Sequence, residues 1–119
     1  MSIKKNIAIL GSTGSIGTQA LEVISEQPDI FQVEVLTANK NGELLVKQAI
    51  KHKPNAVVIV DDKQYGYVNS KLKNLDIKVF SGNDALSQVV EMSSVDLVLT
   101  ALVGYAGLKP TINAIKSKK

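Results

Sequence analysis

The sequence predicts an α/β fold: a doubly wound parallel sheet in three layers, helix over sheet over helix. Three observations carry this. Short runs rich in Val, Ile and Leu alternate with segments whose apolar residues recur every three or four positions, five of each along the chain. The joints are short, so each strand leads into a crossover, and right-handed crossovers set the strands parallel. Several of the runs are continuous rather than alternating, as strands covered on both faces require. The expected strand order is 3-2-1-4-5, with ligands held beyond the carboxyl ends of the strands, where the order reverses beside strand 1.

Taken in order, Ile7-Ala8-Ile9-Leu10 is the first strand and Gly11-Ser12-Thr13-Gly14-Ser15-Ile16-Gly17 the turn after it. A helix follows, with Ile16, Ala20 and Ile24 on one face, and Pro28-Asp29 stops it. Residues 33–38 form the second strand, and Asn39-Lys40-Asn41-Gly42 is a polar connection. Leu45, Val46, Ala49 and Ile50 make the face of the next helix, which ends before Pro54. Residues 56–60 read as a buried third strand. Asp61 and Asp62 then open a helix lined by Tyr65, Val68, Leu72 and Leu75 and weakened by Gly66. Residues 77–80 give a fourth strand. Ser81 and Asp84 have the spacing of a capping box ahead of Ala85, Leu86, Val89 and Val90. Residues 95–100 are the fifth strand, and Pro110 suits the first turn of a last helix with Leu108, Ile112 and Ile115 inward. That helix should deliver the chain to a sixth strand, so residues 1–119 read as one domain of a longer protein.

The glycine turn carries the chemistry. An apolar strand, three glycines at three-residue intervals and a helix are the arrangement that holds a dinucleotide in the Rossmann-like fold. Gly11 allows the tight turn, Gly14 lets a pyrophosphate approach bare backbone, and Gly17 lets the helix pack closely on the strand. The first amides of the helix lack intrahelical partners and lie at the positive end of its dipole, which favours an anion. The hydroxyls of Ser12, Thr13 and Ser15 are expected to add donors there. The competing reading is an ordinary Gly/Ser-rich loop between a strand and a helix.

The second strand selects the cofactor. NAD-selective folds place an acidic residue about 20 residues past the glycines to accept from the adenosine ribose. Here Asn39, Lys40 and Asn41 stand at the end of strand 2. No carboxylate repels a 2′-phosphate, and a lysine stands between two amides able to donate, so the sign of the charge selects NADP(H).

Composition narrows the remaining classes. The longest apolar run is five residues, 56–60, so no membrane span is expected. The N-terminus lacks the pattern of a signal peptide. Without cysteine there is no disulfide, thiolate nucleophile or cysteine-ligated zinc, which suits a reducing cytoplasm. The net charge of +3 comes from scattered lysines with few aromatics, a pattern that argues against nucleic acid.

Three blocks together resemble the 1-deoxy-D-xylulose 5-phosphate reductoisomerase family: residues 6–17, residues 38–41, and Thr100-Ala101-Leu102-Val103-Gly104-Tyr105-Ala106-Gly107-Leu108-Lys109-Pro110-Thr111. The resemblance covers essentially the whole chain and corresponds to the family's N-terminal NADPH-binding domain. It implies an enzyme that rearranges deoxyxylulose phosphate and reduces the resulting aldehyde with NADPH to methylerythritol phosphate, in non-mevalonate isoprenoid biosynthesis. It also implies a divalent cation, Mg or Mn, a sugar-phosphate substrate, a homodimer for the full-length enzyme and a cytoplasmic location. Thr13, Gly14, Ser15 and Ile16 would hold the pyrophosphate. Asn39, Lys40 and Asn41 would hold the 2′-phosphate end, and Ala101 and Leu102 would lie on the nicotinamide side. Many members have glycine where this chain has Asn39. The metal-binding carboxylates and the substrate residues lie past Lys119 in the family pattern, so no catalytic or metal residue is expected here and the domain alone should be inactive.

Two other readings use the same glycines. A semialdehyde or acyl-phosphate reductase would need a nucleophilic cysteine elsewhere, and a nucleotide-sensing module would have no catalysis at all. Asp61-Asp62 reads as a helix cap rather than a metal pair, and Asp96 as the opening of the fifth strand. His52 reads as a surface residue serving the helix dipole rather than as a base. Tyr105 follows strand 5, where packing is as good a reading as catalysis.

Overall fold

A computed structural model of the chain describes residues 5–89 and 91–100. Within them five parallel strands form one sheet: β1 (Lys5–Leu10), β2 (Phe31–Ala38), β3 (Ala56–Ile59), β4 (Lys78–Ser81) and β5 (Leu97–Thr100). The helices between them are α1 (Ser15–Ser25), α2 (Gly42–His52), α3 (Tyr65–Leu72) and α4 (Asn83–Val89), with 3-10 turns at Asp62–Gln64 and Lys73–Leu75 on either side of α3. Val90, Ala101, Leu102 and the expected last helix with Leu108, Ile112 and Ile115 lie outside the described residues. The parallel, three-layer architecture is the one expected. No described helix is long and apolar enough to cross a membrane.

The strand order differs from expectation. It is β4-β3-β2-β1-β5, not 3-2-1-4-5. β4 pairs with β3, from Ala56 opposite Lys78 to Ile59 opposite Ser81. The cause is the face on which α3 lies. Val68 and Leu72 join Leu21, Ile24, Leu45 and Ala49 in one core cluster, so α1, α2 and α3 cover the same face. A third right-handed crossover on that face adds β4 outside β3. The reversal comes one crossover later. Ala85, Leu86 and Val89 of α4 pack with Ala8, Leu10 and Val58 on the opposite face, which returns the chain to β1's free edge. The switch point therefore stays beside β1, between β1 and β5, while the end of β4 lies at the far edge of the sheet.

Helix α1 is rotated from the expected face. Gly17, Leu21 and Ile24 are its buried residues, and Ile16 is 61% exposed. Gly17 decides this. A Cβ there would overlap the carbonyl oxygen of Gly11 and lie 2.6 Å from Ser12 Cα, so only this bare position fits against the turn. With Gly17 inward, positions i+4 and i+7 follow it. On α2, Leu45, Val46 and Ala49 are buried as expected, Ile50 is exposed, and Gln48 is buried beside them. On α3 the inward residues reduce to Val68 and Leu72, with Tyr65 and Leu75 exposed. Ser81 closes β4 rather than capping a helix.

Two polar features tie the ends of the sheet. Ile7 pairs with Val33 and Ala8 with Val35, so Glu34 is the extra residue of a bulge in β2. Its buried carboxylate accepts from Asn55 Nδ2 at 2.9 Å. Asp96 Oδ2 accepts from the Asn6 amide at 2.8 Å, and the Asp96 amide donates to Asn6 O, which latches the start of β5 onto β1.

Candidate functional site

The candidate site begins where β1 ends. Gly11 adopts φ 82°, a left-handed conformation that glycine takes without strain and that turns the chain sharply off the strand. Its amide donates to Thr37 Oγ1 at 2.9 Å, and the Ser12 amide donates to Thr37 O at 2.8 Å, so the turn is sewn to the end of β2.

Ser12 is fully buried, and every polar group it has is engaged. Its hydroxyl donates to Gln48 Oε1 at 2.8 Å and also lies 3.2 Å from Thr37 O. Gln48 Nε2 donates back to Ser12 O at 2.9 Å. Because a carbonyl oxygen only accepts, the Gln48 amide has one sensible orientation. The Ser12 hydroxyl is thus spent inside the protein. The expectation that it would meet a ligand is corrected, while Thr13 is half-buried and Ser15 exposed.

Gly14 is different from its two neighbours in the motif. Its φ is −79°, open to any residue, and a Cβ there would meet only Gly11 O at an ordinary 3.6 Å. The fold does not require glycine at this exposed position. Gly14 is the N-cap of α1, and no side chain caps that end. The first amides of α1, at Ser15, Ile16 and Gly17, lack intrahelical partners by the geometry of a helix start and sit at the positive end of its dipole. Ser15 and Ile16 are exposed with Gly14, so the turn is open rather than curled shut.

The second half of the candidate site follows β2. Asn39, Lys40 and Asn41 are all exposed. Asn39 lies two residues past Thr37, itself bonded to Gly11 and Ser12, which puts it within about 7 Å of chain from the glycine turn. Asn41 is the N-cap of α2, its Oδ1 accepting from the Leu44 amide at 3.1 Å, which leaves its Nδ2 donor outward. Lys40 is the cation of this corner. Ala101 and Leu102, expected on the nicotinamide side, fall outside the described residues.

Other candidates have structural roles. Asp61 Oδ1 accepts from the Lys63 amide at 3.0 Å and caps the 3-10 turn, as expected. Among the described residues no cluster of three or more His, Cys, Asp or Glu side chains is arranged to hold a metal. His52 is half-buried in the last turn of α2, and burial, with Lys51 beside it, lowers its pKa from the usual 6.5. Burial therefore favours its neutral form. His52 lines a groove of about 220 Å³ between α1 and α2 with Lys51, Glu22 and Thr18. An apolar trough of about 440 Å³ lies between α1 and β5, floored by Ile7, Leu97 and Leu99. Neither includes the glycine turn.

Gln48 and Thr37 were not legible as site residues. The one signal for Gln48 is a polar side chain set inside the apolar stripe of Leu45, Val46 and Ala49.

A family model described as 1-deoxy-D-xylulose 5-phosphate reductoisomerase matches residues 7–119. The proteins of that name from Bacteroides thetaiotaomicron and Porphyromonas gingivalis (strain ATCC 33277) are 60% and 51% identical, each over 98% of this chain. The chain spans 30% of the length of each of these curated relatives. Among solved structures, the Zymomonas mobilis enzyme in complex with NADPH matches with TM-score 0.93 and 34% identity over 98% of this chain and 31% of that one. A DOX-P reductoisomerase in complex with NADPH, fosmidomycin and magnesium matches with TM-score 0.92 and 32% identity, over 97% of this chain and 28% of that one.

Proposed function

The chain belongs to the 1-deoxy-D-xylulose 5-phosphate reductoisomerase family, and on that premise we propose that residues 1–119 are the NADPH-binding domain of a longer enzyme. That enzyme rearranges 1-deoxy-D-xylulose 5-phosphate and reduces the product to 2-C-methyl-D-erythritol 4-phosphate. Family membership decides against the semialdehyde reductase and the nucleotide sensor, which share only the glycine turn.

One observation carries the cofactor reading. Gly14 is bare where neither its φ nor its neighbours demand it, at the uncapped, exposed start of α1 and beside the switch point of the sheet. A group approaching from outside explains the missing side chain. Thr13, Gly14, Ser15 and Ile16 fit an anion, through the bare backbone at Gly14 (whose own amide donates to Gly11 O), the unpartnered amides of Ser15 and Ile16, the helix dipole and the hydroxyls of Thr13 and Ser15. Asn39, Lys40 and Asn41 fit a second one, with a lysine charge and amide donors and no carboxylate among the three. Ala101 and Leu102 complete the proposal on the nicotinamide side.

When bound, NADPH supplies the hydride for the reduction step. The residues of this chain bind and orient it: the turn neutralises the pyrophosphate without a cationic side chain, and Lys40 sets preference for the phosphorylated cofactor. The divalent cation (Mg or Mn), the sugar-phosphate site and the homodimer belong to the full-length enzyme in this proposal. Support for the metal comes from the relative solved with magnesium. A cytoplasmic location is part of the same proposal, in keeping with a chain without cysteine.

Titrating NADPH and NADH against the wild-type protein and Lys40→Ala tests the reading. Losing a charge-assisted contact to phosphate should weaken NADPH by about 1.5–3 kcal/mol, roughly 10- to 150-fold, and leave NADH within twofold. Equal losses for both cofactors would remove the 2′-phosphate role of Lys40.

A further inference from the structure

Between the amides after Ser12 and the polar corner after β2 an amide side chain is buried. Gln48 is 8% exposed, on a helix face otherwise made of Leu45, Val46 and Ala49. An apolar residue of the same length would fill that space without desolvating an amide. What glutamine adds is direction. Its Oε1 accepts from Ser12 Oγ and its Nε2 donates to Ser12 O, at 2.8 and 2.9 Å, while Thr37 holds the Ser12 amide from the other side. The peptide planes on either side of Ser12 are therefore both fixed, and the carbonyl that Gln48 grips belongs to the same peptide unit as the Thr13 amide.

We infer that Gln48 is a positioning residue for the cofactor: by gripping Ser12 from α2, it sets the orientation of the amides that follow and couples them to the helix whose cap carries Lys40 and Asn41. The inference rests on the reading of this turn as the pyrophosphate cradle. The two halves of the site come from segments 36 residues apart in sequence at the Ser12–Gln48 contact. Residues 39–41 join the clamp at both ends, through Thr37 two residues before Asn39 and through α2 directly after Asn41. A turn free to rock relative to α2 would meet the pyrophosphate and the 2′-phosphate of one ligand one at a time. A clamped turn meets them together, and less ordering remains to be done on binding.

The test uses Gln48→Met in the full-length protein, which keeps length and packing and removes both hydrogen bonds. Ser12→Ala removes the hydroxyl from the opposite side and serves if Gln48→Met fails to fold. Three quantities are read: amide hydrogen exchange of residues 11–17 without cofactor, KM and Kd for NADPH, and kcat. The inference predicts exchange in the turn at least tenfold faster, KM and Kd raised about tenfold, and kcat within twofold, in a variant whose far-UV spectrum is unchanged. The double variant Ser12→Ala/Gln48→Met should bind NADPH no worse than Gln48→Met alone, because both act through one contact. Cofactor binding within twofold of wild type in a folded Gln48→Met overturns the inference and leaves the cofactor reading standing. Absence of NADPH binding by the wild-type protein overturns that reading, and the inference with it.

Discussion

Replacing Gly17 with alanine probes the contact that places α1 over the glycine turn. The added Cβ overlaps Gly11 O and sits 2.6 Å from Ser12 Cα and 2.8 Å from Ser12 C. All three are backbone atoms of a turn held by Thr37 and Gln48, so no flexible side chain can yield. Restoring ordinary carbon–carbon separation at 3.5–4.0 Å would require α1 to move about 1 Å off the turn. Overpacking of this kind costs about 1–3 kcal/mol, and a rigid backbone neighbour puts it at the upper end. Better helix propensity returns up to about 1 kcal/mol. The net loss is about 2 kcal/mol, which for a domain of this size lowers Tm by roughly 6–12 °C. Gly14→Ala is the matched comparison. Its Cβ has room and its φ is ordinary, so loss of an N-cap glycine should cost only about 0.5–1 kcal/mol while NADPH binding falls at least tenfold. Thermal melts and cofactor titrations on the two variants separate packing from binding. A Gly17→Ala protein as stable as wild type, or a Gly14→Ala protein that binds NADPH normally, would refute the division of labour among the glycines.

Asn41→Ala removes the cap of α2 and should destabilise the protein by about 1 kcal/mol in a denaturant melt. Asn41→Asp should keep that stability yet weaken NADPH more than NADH, since a carboxylate then faces the 2′-phosphate corner; unchanged selectivity would place that phosphate elsewhere. His52 has a pKa below 6.5 in the folded chain, through burial first and Lys51 second. The unfolded chain thus takes up the proton more readily, so stability is full above 6.5 and falls as pH drops below it. His52→Gln should flatten the loss seen as pH falls below 6.5, and identical pH slopes in melts of the two proteins would contradict the cause given. Leu72→Ala, at a fully buried position, should cost about 2–5 kcal/mol, read as a drop in denaturant midpoint.

The sequence made the layers and strands legible because burial on both faces leaves a local mark: continuous apolar runs such as 56–59, separated by helical spacing. The glycine turn was legible for the same reason, since its constraints fall on consecutive residues. Facts that depend on tertiary partners were not. Whether β4 follows β3 outward or returns to β1 depends on which face α3 covers, and Val68 and Leu72 would be apolar either way. The buried side of α1 is set by Gly17 meeting Gly11, a contact that outweighs the larger Ile16. Gln48 and Thr37 carry no motif, because what they do is defined by Ser12, at separations of 36 and 25 residues.

Hydrogen exchange measured by mass spectrometry on the full-length protein, alone and with saturating NADPH or NADH, tests most directly where the cofactor lies. The account predicts that both protect residues 11–17, and that NADPH protects residues 39–41 more strongly than NADH. Protection absent from 11–17, or falling instead on the α1–α2 groove around Glu22 and His52, would contradict it.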